Sequence, residues 1–270
     1  MKTVIFVWTL DWKHNVYNDK ECFFGIGDIV RGMISTYEVC KKYEFTFYID
    51  FQKHPISQYI YNPINPYTKL ISIDDTPVQF ISRDDELEKY IIEHIGKAPL
   101  FLMSNNNYKN ICPEFQKYLC KIFQDMTPKF RLFYDNIKCN LKLRNNYSIL
   151  HFRLGDHYMV HNNILYTDNE IEKYKLLYEQ HKDENQLTIS DNKPFKDVLF
   201  SQYNAKMLDI EHIGHIGLTD HKKYLRYTLV EFLLVFHSSK IDTYSIYPWT
   251  SGFVTIPAIL KDIPINTLSL

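Results

Sequence analysis

Residues 147–156 read Y-S-I-L-H-F-R-L-G-D, an apolar run that ends in groups able to do chemistry. In an extended strand alternate side chains share a face, so His151 and Arg153 are predicted to project together. The arginine offers a planar, permanently charged fork of donors that suits phosphate, and Gly155 permits close backbone approach by a ligand. The alternative is an edge strand whose Arg153 only pairs with Asp156.

Gly25 and Gly27 are a second candidate site, because they follow the first predicted strand, where α/β folds often bind ligands. The pattern lacks the full G-x-G-x-x-G fingerprint, so a tight turn without a ligand is the preferred interpretation of the glycines by themselves. Asp28 stands where a helix N-cap is expected, ahead of a helical pattern over 29–43.

Metal-binding patterns are weak in this sequence. The acidic pairs are interpreted as solvated turns or helix starts, and the two histidines flank a glycine in a predicted loop. The five cysteines are odd in number and form no C-x-x-C pair, which predicts neither a disulfide framework nor a zinc site and favours a reducing compartment. These residues are Asp74, Asp75, Asp84, Asp85, His212, His215, Cys22, Cys40, Cys112, Cys120 and Cys139.

Length and charge limit the classes of function. The 270 residues can bury a large core, and 45% hydrophobic with 23% charged residues is an ordinary globular composition. The formal charge of -1 gives no general attraction to nucleic acid or an anionic membrane, so any anion site must be local. The N-terminal apolar run 3–10 is too short for a membrane span and lacks a cleavage site, which predicts a cytoplasmic protein without a transmembrane anchor.

Strand and helix patterns alternate along the chain, and the alternation restarts near residue 145. This predicts an α/β fold of two domains, 1–145 and 146–270. Strands are predicted at 3–10, 44–50, 69–73, 99–103, 147–152, 186–190, 205–213 and 240–245. Helices are predicted at 29–43, 86–95, 113–123, 170–182, 196–203, 223–237 and 254–260.

Four segments in order resemble the fucosyltransferase superfamily that includes the α1,2-, α1,6- and protein O-fucosyltransferases. The first is the glycine loop at residues 25–33, with the pattern G-x-G-D, and the second is residues 149–156, which contain H-x-R-x-G-D. The third is the strand motif with S-D at residues 187–192, and the fourth is the closing motif at residues 251–260, which residues 231–234 precede. The chain departs from the family patterns at Gly252, which stands in place of a second serine, at Glu231, which replaces an aspartate, and in lacking a double tryptophan.

The resemblance implies two Rossmann-like domains facing a cleft, the GT-B type, with the acceptor on the N-terminal side and a GDP-fucose donor on the C-terminal side. It places Arg153 on the β-phosphate, where it would stabilise the departing diphosphate. Asp191 would accept hydrogen bonds from guanine. Asp28 and Asp156 are the candidate general bases. The remaining implied donor-binding residues are His151, Gly155, Ser190, Thr250, Ser251, Gly252, Phe253, Gly25 and Gly27.

The sequence therefore predicts an inverting glycosyltransferase that needs no metal or other cofactor and moves fucose from GDP-fucose to a glycan or other hydroxyl acceptor. Its expected partners are a nucleotide-sugar donor and a carbohydrate acceptor, and not nucleic acid. Two alternatives stay open: a different nucleotide sugar, or a binding protein that kept the fold and lost turnover. A third hypothesis is an α/β protein that uses residues 25–28 for another phosphorylated ligand.

Overall fold

The computed structural model describes residues 2–9, 15–17, 20–21, 25–66, 78–82, 84–155, 167–208 and 224–270. The chain forms two compact units that divide between Thr127 and Pro128. Each unit is built on a four-stranded parallel sheet with helices between the strands. The predicted strand at 69–73 lies outside the described residues.

The first unit has the strand order β4-β1-β6-β5, all parallel, with a short antiparallel β2–β3 pair beside it in sequence. Strand β1 is buried at every position, which is why it reads as a continuous apolar run rather than an alternating one. The elements are β1 (Thr3–Val7), β2 (Asn15–Tyr17), β3 (Lys20–Glu21), α1 (Ile26–Lys42), β4 (Thr46–Asp50), β5 (Gln79–Ile81), α2 (Asp84–His94), β6 (Leu100–Ser104) and α3 (Pro113–Gln124).

Helix α1 begins three residues earlier than the sequence predicted. Its N-cap is Gly25, and Gly27 lies in the first turn rather than in a loop. Asp28 is therefore not the N-cap; its carboxylate reaches back and accepts a hydrogen bond from the Gly25 amide at 3.1 Å. Further along α1, Gly32 packs directly on β6, where a Cβ would overlap the Ser104 carbonyl, so only glycine fits.

The second unit has the strand order β10-β9-β7-β8, also fully parallel. Its sheet places β7 between β9 and β8, which rules out the predicted alternative that β7 is an edge strand. The elements are α4 (Pro128–Asn140), β7 (Ser148–Arg153), α5 (Asp168–His181), β8 (Gln186–Ser190), α6 (Lys193–Tyr203), α7 (Leu225–Phe236), β9 (Lys240–Ser245), α8 (Gly252–Lys261) and β10 (Ile265–Thr267).

The boundary between the units precedes α4, whereas the alternation of strand and helix patterns predicted it near residue 145. Helix α4 belongs to the second unit because its aromatic side chains pack there: Phe133 lies edge-on to Tyr227 and the Tyr134 hydroxyl bonds to His237 at 3.0 Å. These contacts are long-range, and an amphipathic helix pattern does not reveal which core the helix will join.

Two further details of the second unit differ from the sequence expectations. Residues 204–208 form no strand, and the rest of the predicted strand region 205–213 lies outside the described residues. The edge strand β10 was missed, because all three of its side chains are exposed and so carry no buried alternating pattern.

The alternation of β7 divides its side chains between the two faces of the sheet. Leu150, Phe152 and Leu154 pack into a core with residues of α5 and α6. His151 and Arg153 therefore belong to the opposite face, where α8 contributes Phe253 beside the imidazole of His151. The register of this one strand thus determines where the two predicted site residues lie.

Candidate functional site

Arg153 is the last residue of β7, at the carboxyl end of a central strand. Its side chain is 20% exposed, so a ligand can reach the guanidinium while most of the side chain is held by protein. Open parallel sheets commonly bind their ligands outside the carboxyl ends of the strands. The predicted position of this arginine is thus one at which an anion could be bound.

Asp191, directly after β8, is the partner of Arg153. Its carboxylate accepts from Arg153 Nη1 at 2.5 Å, from the Leu154 amide at 2.7 Å and from the Gly155 amide at 3.1 Å. One buried carboxylate therefore holds both the guanidinium and the backbone by which the chain leaves β7. Asp156, the alternative ion-pair partner predicted for Arg153, lies outside the described residues.

This arrangement bears on the guanine contact predicted for Asp191. Both carboxylate oxygens are engaged with the end of β7. A guanine edge would have to share these oxygens, so the guanine role stays a prediction. The role visible in the structure is to hold Arg153.

Gly155 has a specific backbone requirement at this point. Its φ angle is 121°, a conformation that residues with a Cβ rarely adopt, and its amide points to Asp191. The glycine lets the chain turn away from the sheet while the Leu154 and Gly155 amides both donate to the Asp191 carboxylate. Gly155 is buried and its amide is bonded to Asp191, so the predicted close approach of a donor to its backbone stays a prediction.

The end of β8 continues into α6 through a chain of local hydrogen bonds. Ser190 Oγ accepts from the Asn192 amide at 3.2 Å, and Asn192 Oδ1 caps α6 by accepting from the Phe195 amide at 2.9 Å. These bonds fix the backbone on both sides of Asp191. Ser190 is buried, and the structure gives it this turn-stabilising role rather than an exposed one.

Asn192 was not selected from the sequence, although it directly follows the predicted Ser190-Asp191 pair. Its Nδ2 atom is buried without a hydrogen-bond partner. A buried amide donor without a partner costs free energy, and such atoms in native proteins call for an explanation. The sequence could not reveal this atom as a candidate contact for a ligand, because its burial depends on the tertiary structure.

His151 lies inside the protein, 3% exposed. Its Nδ1 shares a 2.9 Å hydrogen bond with Thr243 Oγ1 of β9, and its ring lies nearly parallel to that of Phe253, with centroids 6.4 Å apart. Burial, assisted by the charge of Arg153, lowers the pKa of this imidazole to about 3. His151 is therefore neutral at physiological pH and does not add a positive charge to the site.

The start of α8 is formed by the predicted segment 250–253. Ser251 is the N-cap, and its hydroxyl oxygen accepts from the Phe253 amide at 3.3 Å. Because a serine hydroxyl is also a donor, this cap can still offer its hydrogen to an anion. Thr250, Gly252 and Phe253 are all half-buried, and Phe253 packs edge-on against Phe232 of α7.

Gly25, Gly27 and Asp28 belong to the first unit, at the start of α1. The Asp28 carboxylate accepts from the Gly25 amide and from Arg31 at 2.9 Å. A carboxylate thus already occupies this helix start, where the helix dipole favours a negative charge. This arrangement disfavours the hypothesis that residues 25–28 bind a phosphorylated ligand. Asp28 as a general base stays a prediction.

A second buried ion pair lies between α6 and α7. Lys196 is 1% exposed and its Nζ is 3.5 Å from Glu231 Oε1. Burial raises the pKa of Glu231, an effect that the lysine partly offsets. Glu231 lies in one of the motif segments, but its partner Lys196 could not be predicted, because a lysine in a helix is normally interpreted as solvent-facing.

The described residues contain no group of three His, Cys, Asp or Glu side chains placed to hold a metal ion. The acidic pair Asp74 and Asp75 and the histidines His212 and His215 lie outside the described ranges. Within those same ranges, none of the helices combines the length and hydrophobicity that crossing a bilayer requires.

No known family model matches this sequence, and no curated protein sequence does either. Solved structures do match it. The fucosyltransferase NodZ from Bradyrhizobium aligns at a TM-score of 0.54 and 12% identity, over 98% of this chain and 94% of that one. FUT1 of Arabidopsis thaliana, in a mutant form bound to GDP, aligns at 0.55 and 11%, over 99% and 70%. POFUT1 in complex with GDP-fucose aligns at 0.52 and 10%, over 100% and 98%.

At this identity the likeness establishes the fold. The chain has the α/β architecture of these fucosyltransferases, with two Rossmann-like units, as the sequence predicted. Because the alignments cover nearly the whole chain, both units contribute to the likeness. The positions of the individual site residues rest on the geometry described above.

The Asp191 carboxylate predicts a stability effect. In Asp191→Asn one carboxylate oxygen is replaced by an amide nitrogen that cannot accept, and the charge that pairs with Arg153 is lost. Either the Leu154 amide, or both the Gly155 amide and Arg153, then lose their hydrogen bond to this side chain. Removing one member of a buried pair typically costs 3–5 kcal/mol, and because Arg153 is partly exposed we expect about 2–3 kcal/mol. Denaturant unfolding measures the loss.

The matched control is Asp197→Asn, which breaks an exposed pair with Lys193 in α6 and should cost under about 1 kcal/mol. Hydrogen exchange gives a second measurement, because the amides of Leu154 and Gly155 should exchange faster in the Asp191 variant. Equal stability of the two variants, with unchanged exchange, would show that Asp191 does not hold the end of β7.

The buried His151 predicts a pH dependence. The unfolded chain binds a proton near pH 6.5, whereas the folded chain resists protonation until about pH 3, so protonation favours the unfolded state between these values. The free energy of unfolding should therefore fall on acidification from about pH 6.5, by about 1.4 kcal/mol per pH unit for this one proton. His151→Gln should remove that part of the slope.

Denaturant unfolding of both proteins from pH 7 to pH 4 tests this prediction, because the contribution of the carboxyl groups is common to both. Histidine NMR supplies an independent reading: the His151 imidazole should show no titration above pH 4. Titration near pH 6.5, or identical slopes for the two proteins, would contradict the burial argument.

Proposed function

We propose that this chain is an inverting, metal-independent glycosyltransferase that moves fucose from GDP-fucose to a glycan or another hydroxyl acceptor. The observation that carries the proposal is Arg153, fixed by Asp191 at the carboxyl end of a central strand, in a chain with the fold of fucosyltransferases. Those structures include one with GDP-fucose bound, which supports the choice of donor.

The reaction places a specific demand on the protein. The bond between C1 of the sugar and the β-phosphate oxygen breaks, and negative charge grows on the departing diphosphate. A cation held in place before the reaction stabilises that charge without reorganising. Arg153 meets this demand, because its guanidinium has several donors in one plane and can hold Asp191 and a phosphate together.

The Gly252 amide at the start of α8 and the hydroxyl of the α8 cap, Ser251, would supply further donors for the diphosphate. With Arg153 and these groups carrying the charge, the proposed reaction has a source of positive potential that does not depend on a divalent cation. His151, being neutral and buried, supports the site by holding β7 against β9 and α8.

Inversion follows if the acceptor hydroxyl attacks C1 from the face opposite the leaving diphosphate. The new bond forms from the acceptor oxygen to C1, and the hydroxyl proton passes to a carboxylate or to water. Asp28 and Asp156 stay the predicted bases. Cytoplasmic location is likewise part of the proposal.

Ligand binding tests the donor and the metal requirement together. GDP at 100 times its dissociation constant should stabilise the protein by about 2.7 kcal/mol, with the same shift in melting temperature when EDTA is present. UDP and CDP should give much smaller shifts. GDP-fucose should be hydrolysed slowly without an acceptor, and the anomeric configuration of the released fucose should be inverted, as read by NMR.

Each component of the proposal has its own negative outcome. A larger shift in melting temperature with UDP than with GDP would show that the donor is a UDP-sugar. Loss of the GDP shift or of hydrolysis in EDTA would show that the reaction depends on a metal ion. GDP binding without hydrolysis or transfer would favour the alternative of a binding protein that kept the fold and lost turnover.

A further inference from the structure

The loop between β9 and α8, residues 246–250, contains an exposed aromatic pair beside Arg153. Trp249 is 64% exposed and Tyr247 is half-buried. Their rings stack with centroids 5.1 Å apart and an interplanar angle of 13°. The exposed indole offers a flat apolar face, and burying this face against a ligand is favourable.

The pair is joined to the candidate phosphate site by direct contacts. The guanidinium carbon of Arg153 lies 5.7 Å from the centre of the Tyr247 ring, within the range of a cation–π interaction. The Ile246 amide donates to the Arg153 carbonyl at 3.1 Å, which ties the start of the loop to the end of β7. Asp191, Arg153, Tyr247 and Trp249 thus form a continuous series from a buried carboxylate to an exposed indole.

We propose that Tyr247 and Trp249 form a stacking platform for a pyranose ring. This inference rests on the proposed function, which places Arg153 on the β-phosphate. The sugar of a nucleotide sugar is joined directly to that phosphate, whereas the base is separated from it by another phosphate and a ribose. Because Tyr247 lies between the guanidinium and Trp249, the surface left for a ligand is the outer face of Trp249, and we assign it to the sugar, the ring nearest the β-phosphate.

The chemistry of the platform fits the same ligand. One face of a pyranose carries mainly C–H groups, and a 6-deoxy sugar adds a methyl group, so a flat aromatic surface can bury them. The two rings are already stacked on each other, so a ligand that binds them loses little free energy in fixing their side-chain conformations. The sugar can come from the donor or, just beyond it, from the acceptor; the two sources differ in measurable ways.

The test uses the full chain and three variants. Trp249→Ala removes the outer ring and Trp249→Phe keeps a stacking ring. Phe200→Ala removes another exposed aromatic side chain, 51% exposed, from α6 of the same unit. Calorimetry gives the dissociation constants of GDP and GDP-fucose. Labelled protein on a printed glycan array, with and without GDP-fucose, reports glycan binding and fucose transfer.

If the platform holds the donor sugar, Trp249→Ala should bind GDP normally and GDP-fucose roughly ten-fold more weakly, as expected when the apolar surface of one ring is no longer buried. If it holds the acceptor sugar, donor affinities should be unchanged, while array binding or transfer should fall by a similar factor and hydrolysis to water should persist. In both cases Trp249→Phe should recover most of the loss, and Phe200→Ala should match the unmodified chain.

Two results would overturn the inference. Equal weakening of GDP and GDP-fucose in Trp249→Ala would assign the platform to the nucleobase, and unchanged donor affinities with unchanged array signals would leave it without a sugar-binding role. Failure of the proposed function is a separate result, because then the unmodified chain would not bind GDP. In that case glycan binding on the array, lost in Trp249→Ala, would still support the platform.

Discussion

The hydrogen bonds from the end of β7 to the Asp191 carboxylate are the constraint on which the candidate site depends. An arginine side chain gives up about 1.5–2 kcal/mol of conformational entropy when it is fixed. Here that cost is met during folding, because parallel pairing of β7 with β8 brings Arg153 and Asp191 to the same sheet edge. A phosphate can then bind a guanidinium that is already in place.

In the described part of the second unit, the buried ionisable groups are either paired with an opposite charge or kept neutral. Asp191 balances Arg153, Glu231 lies beside Lys196, and burial keeps His151 uncharged. Replacing one member of the Lys196–Glu231 pair would leave a buried charge without its counter-charge, which costs far more than breaking an exposed pair does. The partly exposed guanidinium of Arg153 therefore stands out as the charge available for an incoming anion.

Local patterns predicted the fold and part of the site. Apolar runs located most strands, and Arg153 with Asp191 stood out at strand ends. The partner of Arg153 could not be predicted, because choosing Asp191 over the nearby Asp156 requires knowing that β8 lies next to β7. Asp28 was assigned as an N-cap because a carboxylate that reaches back to the Gly25 amide has the same sequence signature as one that begins a helix. Trp249 gave no signal beyond composition, since its exposure depends on tertiary structure.

The central claim is that Arg153 binds the β-phosphate, and GMP, which lacks that group, tests it directly. Calorimetric dissociation constants for GDP and GMP should differ by roughly ten-fold or more in the unmodified chain, as a charge-assisted contact implies. In Arg153→Ala most of this preference should be lost, because only the donors at the start of α8 remain for the β-phosphate, whereas Arg144→Ala, which removes an exposed arginine, should keep it. A folded Arg153→Ala protein that still prefers GDP by the same factor would contradict the account.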